Sequence, residues 1–192
     1  EILCVPVADG GEGTVEALVE GTNGRMATIS VHDPLMRPIR ASYGLSGDGQ
    51  TAIIEMSAAS GLTLLSEEER NPLRTTTYGT GELILDAVGR GCRHFILGVG
   101  GSATNDAGIG MLQALGFRFI DSSGLLIGKG CETMQQIADV DFSHVLPSLS
   151  TCRFRLATDV KNPLFGPEGA AYVFARHKGG DDRTIPMLDE GL

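Results

Sequence analysis

The stretch His94–Gly116 constrains the fold more than any other part of this sequence. Its apolar run Phe95–Val99 shows no helical period, which predicts a strand buried on both faces. Three glycines within Gly98–Gly101 allow a sharp turn, and Ser102–Asp106 then supplies several side chains that typically cap helices. Apolar residues recur at helical spacing up to Gly116, a typical C-terminal cap. A strand, a glycine turn and a helix in this order predict an α/β fold.

The same unit predicts a binding site for an anion. The first N–H groups of a helix lack partners within the helix, and the helix dipole adds positive charge at that end. The candidate residues around the anion are Gly100, Gly101, Ser102, Thr104 and Asn105. The alternative is an ordinary tight turn in which Asp106 only caps the helix, and the sequence leaves both interpretations open.

A second strand–turn–helix unit is predicted at the start of the chain. The predicted strand Ile2–Val7 and the predicted helix Thr14–Glu20 flank a turn that carries Asp9 and Glu12 among three glycines. Two carboxylates would repel a bare phosphate, so this turn favours a divalent cation or a substrate hydroxyl. A polar turn in which Asp9 or Thr14 caps the helix is the alternative.

The remaining predicted elements mix strands and helices. The predicted strands are Met26–His32, Ile39–Leu45, Thr51–Met56, Phe117–Ile120 and Arg153–Ala157. The predicted helices are Glu82–Gly91, Thr133–Ile137 and Thr184–Leu192, and Val140–Leu149 is predicted to be mostly loop. The segment Gly169–Lys178 fits a helix or a strand, with the helix favoured. Three strands in a row depart from the strand–helix alternation, which indicates that a second domain begins near Met26.

Two further polar loops adjoin these elements. The loop Arg74–Gly81 carries four threonines before a predicted helix, which suits an oxyanion ligand, although Thr80 would also serve as a plain helix cap. The loop Thr158–Gly166, with Asp159 and Asn162, follows the last predicted strand. In α/β sheets, ligands gather at the carboxyl ends of the strands. Both loops are therefore candidates for the binding site.

Composition narrows the classes of partner. A net charge of −9 and only three lysines argue against binding to nucleic acid or to an anionic membrane surface. No apolar stretch is long enough for a transmembrane helix. The four cysteines and four histidines are scattered, so no local spacing predicts a metal cage.

One established nucleotide signature does fit. Gly98, Gly100 and Ala103 match the dinucleotide-binding pattern Gly-x-Gly-x-x-Gly/Ala, and Asp121 follows about twenty residues later, where a ribose-binding acid stands in such folds. Against this interpretation, Asp106 would lie in the first turn of the helix and would repel a pyrophosphate. Dinucleotide binding is therefore kept only as an alternative.

Four segments, taken in order, closely resemble the bacterial glycerate kinases. They are Ala8–Thr14, Thr77–Ile84, Gly98–Gly116 and Thr158–Ala171. The resemblance implies a two-domain α/β kinase that transfers the γ-phosphoryl group of ATP to a hydroxyl of D-glycerate, usually giving 2-phosphoglycerate, with Mg²⁺. It also implies a cytoplasmic enzyme whose partners are these small substrates, and a homodimer is left open.

The resemblance also implies a division into domains. Residues 1–25 would be part of a first, flavodoxin-like domain, and residues 26–192 an inserted mixed α/β domain truncated at its C-terminus. Family members carry motifs before and after the part matched here, so the chain is expected to lack both ends. The alternative function is then a truncated domain without catalysis of its own.

Residue roles follow as hypotheses from the resemblance. Asp9 or Asp159 would accept the hydroxyl proton or hold Mg²⁺, Asp106 would be a third catalytic acid, and Arg74 would neutralise charge in the transition state. The residues expected to bind substrate or phosphate are Gly10, Gly11, Glu12, Thr14, Thr80, Gly100, Gly101, Ser102, Thr104, Asn105 and Asn162.

Overall fold

A five-stranded mixed sheet forms the centre of the computed structural model, which describes residue 11 and residues 13–192. The strands, in chain order, are β1 (Arg25–His32), β2 (Pro38–Leu45), β3 (Thr51–Glu55), β4 (His94–Gly98), β5 (Arg118–Asp121), β6 (Ile137–Asp141) and β7 (Arg153–Ala157). The sheet order is β1-β2-β3-β4-β7, with β1, β2 and β3 antiparallel and β4 parallel to both β3 and β7. The predicted α/β class is confirmed, and the predicted strands Met26–His32 and Ile39–Leu45 are present as β1 and β2, which pair antiparallel. The predicted strand Ile2–Val7 lies outside the described residues.

A separate ribbon of two antiparallel strands, β5 and β6, lies apart from this sheet. The prediction of a strand at Phe117–Ile120 is confirmed by β5. The strand β6 was not predicted, and Val140, expected in a loop, pairs with Phe119. The strand β6 is short, and its sequence lacks the apolar alternation that marks a strand. In the structure Ala138 and Asp139 are exposed, so no regular buried face is present.

The helices cover both faces of the sheet. They are α1 (Thr14–Gly21), α2 (Ser57–Ser60), α3 (Tyr78–Gly89), α4 (Ile109–Ala114), α5 (Ala170–Phe174) and α6 (Thr184–Gly191). Short 3₁₀ helices lie at Leu62–Leu64, Glu67–Glu69, Cys131–Gln136, Pro147–Thr151 and Ala175–Lys178. No helix within the described residues is both long and apolar enough to cross a bilayer.

The main core lies between α3 and one face of the sheet. Tyr43, Ile54, Ile84 and Phe95 are almost completely buried there. The opposite face is covered by α1, whose Val15 packs against β2 and β3. Ile96 is only half-buried, so the prediction that β4 is fully buried on both faces is wrong.

The helix α3 begins at Tyr78, four residues before the predicted start at Glu82. Two glycines in its first turn made the local sequence a poor helix former. Tertiary contacts explain both glycines: a Cβ on Gly79 would lie 1.9 Å from the carbonyl oxygen of His32, and one on Gly81 would lie 2.4 Å from that of Met111. Close packing against β1 and α4 therefore outweighs helix propensity here.

The helix α4 begins at Ile109, several residues later than the glycine turn suggested. Ala107 and Gly108 adopt left-handed backbone conformations immediately before it, with φ of 49° and 77°. Residues 99–108 are therefore a loop. The prediction that Asp106 lies in the first turn of the helix is wrong, because that helix begins at Ile109.

We predict that Gly81→Ala lowers the free energy of unfolding by about 1–3 kcal/mol, because the added methyl group would force α3 away from α4. Urea unfolding measures the change. Gly89→Ala, near the C-terminal end of the same helix, is the matched control, since its Cβ would meet no atom within 4 Å. We expect the control to be neutral or stabilising by up to about 1 kcal/mol, and equal destabilisation by both variants would contradict the packing argument.

Candidate functional site

Two neighbouring cavities lie at the carboxyl ends of the parallel strands. The first has a volume of about 450 Å³ and is bordered by Leu97 and Leu156, near the ends of β4 and β7. The second has a volume of about 440 Å³ and is bordered by the loop after β7. Val99, Ser102 and Lys178 line both cavities and form their common wall. The predicted location of ligands at this edge of the sheet thus coincides with the two cavities.

Lys178 is the most unusual residue of this wall. Its Nζ donates hydrogen bonds to Ser102 Oγ at 2.8 Å and to the carbonyl oxygen of Thr104 at 2.5 Å. Burial lowers the pKa of the ammonium group to about 8, although the nearby Asp106 carboxylate opposes the shift. No ion pair joins Lys178 to a carboxylate of the residues described here. A partly desolvated cation therefore faces both cavities.

Sequence reasoning missed Lys178 as a site residue. It ends the 3₁₀ helix Ala175–Lys178, 74 residues after Thr104, and no local motif marks it. Its only distinction in the sequence is that lysine occurs three times in the whole chain. Long-range packing alone brings it against the loop that follows β4.

Asp106 connects the N-terminal ends of α3 and α4. Its Oδ2 accepts hydrogen bonds from the backbone N–H of Thr77 at 2.8 Å, from Thr77 Oγ1 at 2.9 Å and from the N–H of Gly110 at 3.2 Å. Its Oδ1 accepts a fourth from the N–H of Gly108 at 3.2 Å. The carboxylate is almost fully buried and borders the first cavity. These contacts match the alternative in which Asp106 caps a helix, and its catalytic role stays a prediction.

The predicted anion site at a helix N-terminus is wrong in its geometry. The helix α4 is short and begins after the loop, and the N–H groups of Gly108 and Gly110 already donate to Asp106. A carboxylate therefore occupies the position where an anionic ligand was expected. Of the residues predicted for that site, Ser102, Thr104 and Asn105 still border the first cavity.

Asn105 and Thr80 line the first cavity in different hydrogen-bonding states. Asn105 is 6% exposed, and its Nδ2 has no hydrogen-bond partner within the described part of the chain. Thr80 lies inside α3, where its hydroxyl is 2.7 Å from Ser60 Oγ, so the prediction that it caps the helix from a loop is wrong. Asn105 thus presents an unused polar group, whereas Thr80 already has a partner.

Other residues that were predicted to bind substrate or metal border the second cavity. Gly100, Gly101 and the exposed Asp159 border it. Asn162 borders neither large cavity. Its side-chain amide donates a hydrogen bond to the carbonyl oxygen of Glu168 at 2.9 Å, within the loop after β7. Arg74 is exposed and also borders neither.

The start of α1 lies at the same edge of the sheet. The N–H of Val15 donates to Glu55 Oε1 at 3.0 Å, at the carboxyl end of β3. This places Gly11 and Thr14 near that edge. The other predicted residues of the first turn, Asp9, Gly10 and Glu12, lie outside the described residues.

The dinucleotide alternative does not fit the topology. It requires Asp121 to end a strand beside β4, but β4 pairs with β3 and β7, whereas Asp121 belongs to the separate β5–β6 ribbon. The Asp121 carboxylate accepts hydrogen bonds from Ser123 and Leu125 within its own turn. We therefore reject this interpretation.

The chain is similar to known proteins in both sequence and structure. The sequence model of the Glycerate kinase family matches residues 1–192. A glycerate kinase from Bacillus cereus and a glycerate 2-kinase from Escherichia coli are each 50% identical over 192 residues, covering 100% of this chain and 50% of each relative. A crystal structure from Salmonella typhimurium, assigned as glycerate kinase 2, superimposes with a TM-score of 0.94 at 50% identity over 97% of this chain and 50% of its own. The chain thus spans about half the length of the relatives it matches.

We predict that removing the shared cap destabilises the fold. Asp106→Ala should lower the free energy of unfolding by about 3 kcal/mol, because buried N–H groups at the starts of two helices lose their acceptor. Asp121→Ala is the control, since that carboxylate also accepts several hydrogen bonds but at an exposed turn, and we expect a loss below about 1 kcal/mol. Wild-type stability of Asp106→Ala in urea unfolding would contradict the proposed capping role.

We predict that the Lys178 side chain titrates near pH 8, below the ordinary lysine value of 10.5. Nuclear magnetic resonance of lysine labelled at Cε measures the midpoint. Because the unfolded chain keeps this proton up to about pH 10.5, the contribution of Lys178 to the free energy of unfolding should rise between pH 8 and pH 10.5. A midpoint above pH 10 would show that the ammonium group is not desolvated.

Proposed function

Because this chain belongs to the glycerate kinase family, we propose that the complete protein transfers the γ-phosphoryl group of ATP to a hydroxyl of D-glycerate, giving 2-phosphoglycerate. The observation that carries the proposal is the pair of adjacent cavities with a common wall of Ser102 and Lys178. Such a pair suits a reaction between two small molecules that both carry negative charge, since a cation stands between them.

Phosphoryl transfer needs positioned substrates and neutralised charge more than covalent chemistry by the protein. In the proposed reaction, a glycerate hydroxyl oxygen bonds to the γ-phosphorus, the bond from that phosphorus to the β–γ bridging oxygen breaks, and ADP leaves with that electron pair. The hydroxyl proton passes to a carboxylate. Asp159 is the candidate among the described residues, and Asp9 remains the alternative that the sequence suggests.

Mg²⁺ suits the donor groups near the second cavity. Proteins usually hold Mg²⁺ through one or two carboxylates together with the phosphates of the substrate, so a dedicated cage is not required. Asp159 supplies one exposed carboxylate beside that cavity. We propose, as the alternative to its role as proton acceptor, that Asp159 holds the ion with Asp9 as second ligand; when bound, the ion would neutralise charge on the phosphate oxygens. Within the described residues, no cluster of three metal-binding side chains exists.

The charge-neutralising role predicted for Arg74 fits Lys178 better. Arg74 is exposed and borders neither large cavity, whereas the Lys178 ammonium lies in the common wall of both. We propose that Lys178 takes this role. The division into a domain of residues 1–25 and an inserted domain of residues 26–192 stays a prediction, in which α1 packing on β2 and β3 would form part of the interface between them. The cytoplasmic location and the homodimer also stay predictions.

We predict that Asp159→Asn in the full-length protein lowers kcat for D-glycerate phosphorylation by about 100-fold or more, because the amide cannot accept the hydroxyl proton and binds Mg²⁺ poorly. A coupled assay for ADP release measures the rate. The control is Asp139→Asn, an exposed acid of β6 that borders neither large cavity, for which we expect an unchanged kcat. A near-normal kcat and Mg²⁺ dependence in Asp159→Asn would exclude both roles of this residue.

A further inference from the structure

The buried ammonium group of Lys178 has a donor left for a ligand. A lysine ammonium carries three N–H donors and no acceptor. Two of them are used by Ser102 Oγ and by the carbonyl oxygen of Thr104, both of which are uncharged acceptors. No carboxylate of the described residues forms a direct ion pair with the ammonium group, although Asp106 lies close enough to favour its charged form. A desolvated positive charge of this kind is stabilised when an anion binds beside it.

Asn105 adds a second, independent sign of a missing partner. Its side chain is 6% exposed, and buried amide groups are nearly always hydrogen-bonded. Yet Nδ2 has no partner in the described structure. The backbone of Asn105 is held in place, because its carbonyl oxygen accepts a hydrogen bond from Cys131 Sγ at 3.2 Å. The unsatisfied amide therefore sits on a fixed part of the loop, one residue after Thr104, to which Lys178 is bonded.

The surroundings of these two groups favour an anion of low charge. Asp106 borders the same cavity, so a group with several negative charges, such as a triphosphate, would be repelled there. Four hydrogen bonds partly compensate the negative charge of Asp106, so its repulsion of an anion with a single charge is weaker. Much of the remaining wall is apolar, including Leu97, Met111 and Leu156, and low polarity strengthens a charge-assisted hydrogen bond. The second cavity, with Asp159 and His177, offers the place for phosphates and their Mg²⁺.

We propose that Lys178 and Asn105 together bind the carboxylate of the acceptor in the first cavity. The site then selects small hydroxy acids over neutral polyols, because only an acid offers an oxygen pair to the ammonium and amide donors. This inference rests on the proposed kinase function, whose acceptor substrate it locates. It also separates the two ligands, with the acceptor in the first cavity and the nucleotide phosphates in the second.

The test compares two variants of the full-length protein, Lys178→Met and Asn105→Leu, with Lys129→Met as the matched control. Lys129 is an exposed lysine whose ammonium lies over the Tyr78 ring, outside both cavities. We expect each of the two variants to raise the KM for D-glycerate by about tenfold or more, since each removes a hydrogen bond to a charged group. The KM for ATP should stay within about twofold of wild type, and the control should leave both values unchanged.

Two further measurements exclude a merely structural role. Asn105→Leu should leave the urea midpoint of the ligand-free protein unchanged or raise it, because the Nδ2 group removed has no hydrogen-bond partner among the described residues. With glycerol as the acceptor, which has no carboxylate, Asn105→Leu and wild type should be equally poor, whereas Lys178→Met also loses the proposed charge neutralisation. An increase in the KM for ATP, an unchanged KM for D-glycerate, or a loss of activity toward glycerol in Asn105→Leu equal to its loss toward D-glycerate would each overturn the carboxylate subsite.

Calorimetric titration with D-glycerate alone separates this inference from the function on which it rests. If wild-type protein binds D-glycerate and both variants weaken binding by about tenfold or more, the subsite is supported even when ADP release shows no transfer. If wild-type protein transfers phosphate but the variants bind D-glycerate normally, the subsite is wrong and the kinase function stands. If D-glycerate neither binds nor reacts, both proposals fail.

Discussion

The structure depends most on one buried carboxylate, that of Asp106. It accepts four hydrogen bonds, which fix the backbone at Thr77 before α3 and at Gly108 and Gly110 around the start of α4. Each helix begins with N–H groups that have no partner inside the helix, and a single acid satisfies donors of both. Because the loop between β4 and α4 ends at this carboxylate, the positions of Thr104 and Asn105 follow from it.

A negative charge in this loop and a positive charge packed against it, those of Asp106 and Lys178, have different roles. Asp106 is saturated by hydrogen bonds and therefore serves the fold, while Lys178 has only neutral acceptors and remains available to a ligand. Among the residues that the structure describes, Lys178 thus has no direct ion-pair partner, and it borders both cavities. Desolvation, which lowers the pKa of Lys178, also raises the gain from binding an anion there.

Sheet topology explains why the two cavities adjoin. The antiparallel strands β1 and β2 complete one side of the sheet, whereas β3, β4 and β7 run parallel and end at a common edge. Loops after parallel strands converge at that edge, so residues far apart in sequence meet there. The strand β7 is the outermost of these parallel strands, and its side chains Phe154 and Leu156 are strongly exposed within the described part of the protein.

The sequence by itself determined the class of fold, most of its strands and the family. Apolar runs and turn residues predicted β1 to β4 and β7, since these signals lie within a few residues of each other. It also singled out Ser102, Thr104 and Asn105, which border the first cavity, because polar residues after a buried strand are a local signal. Local patterns failed where distant atoms decide: the start of α3 depends on glycines packed against β1 and α4.

Only the tertiary structure decided what surrounds each candidate residue. The sequence allows Asp106 to be a catalytic acid or a cap, and the N–H groups around it match the cap. Arg74 is a predicted site residue, and the structure places it exposed and away from both large cavities. Lys178 has no local signal at all, because its partners lie 74 and 76 residues away in the chain. Charge, burial and hydrogen-bond satisfaction are properties of the surroundings in space, and a linear pattern of residues does not encode them.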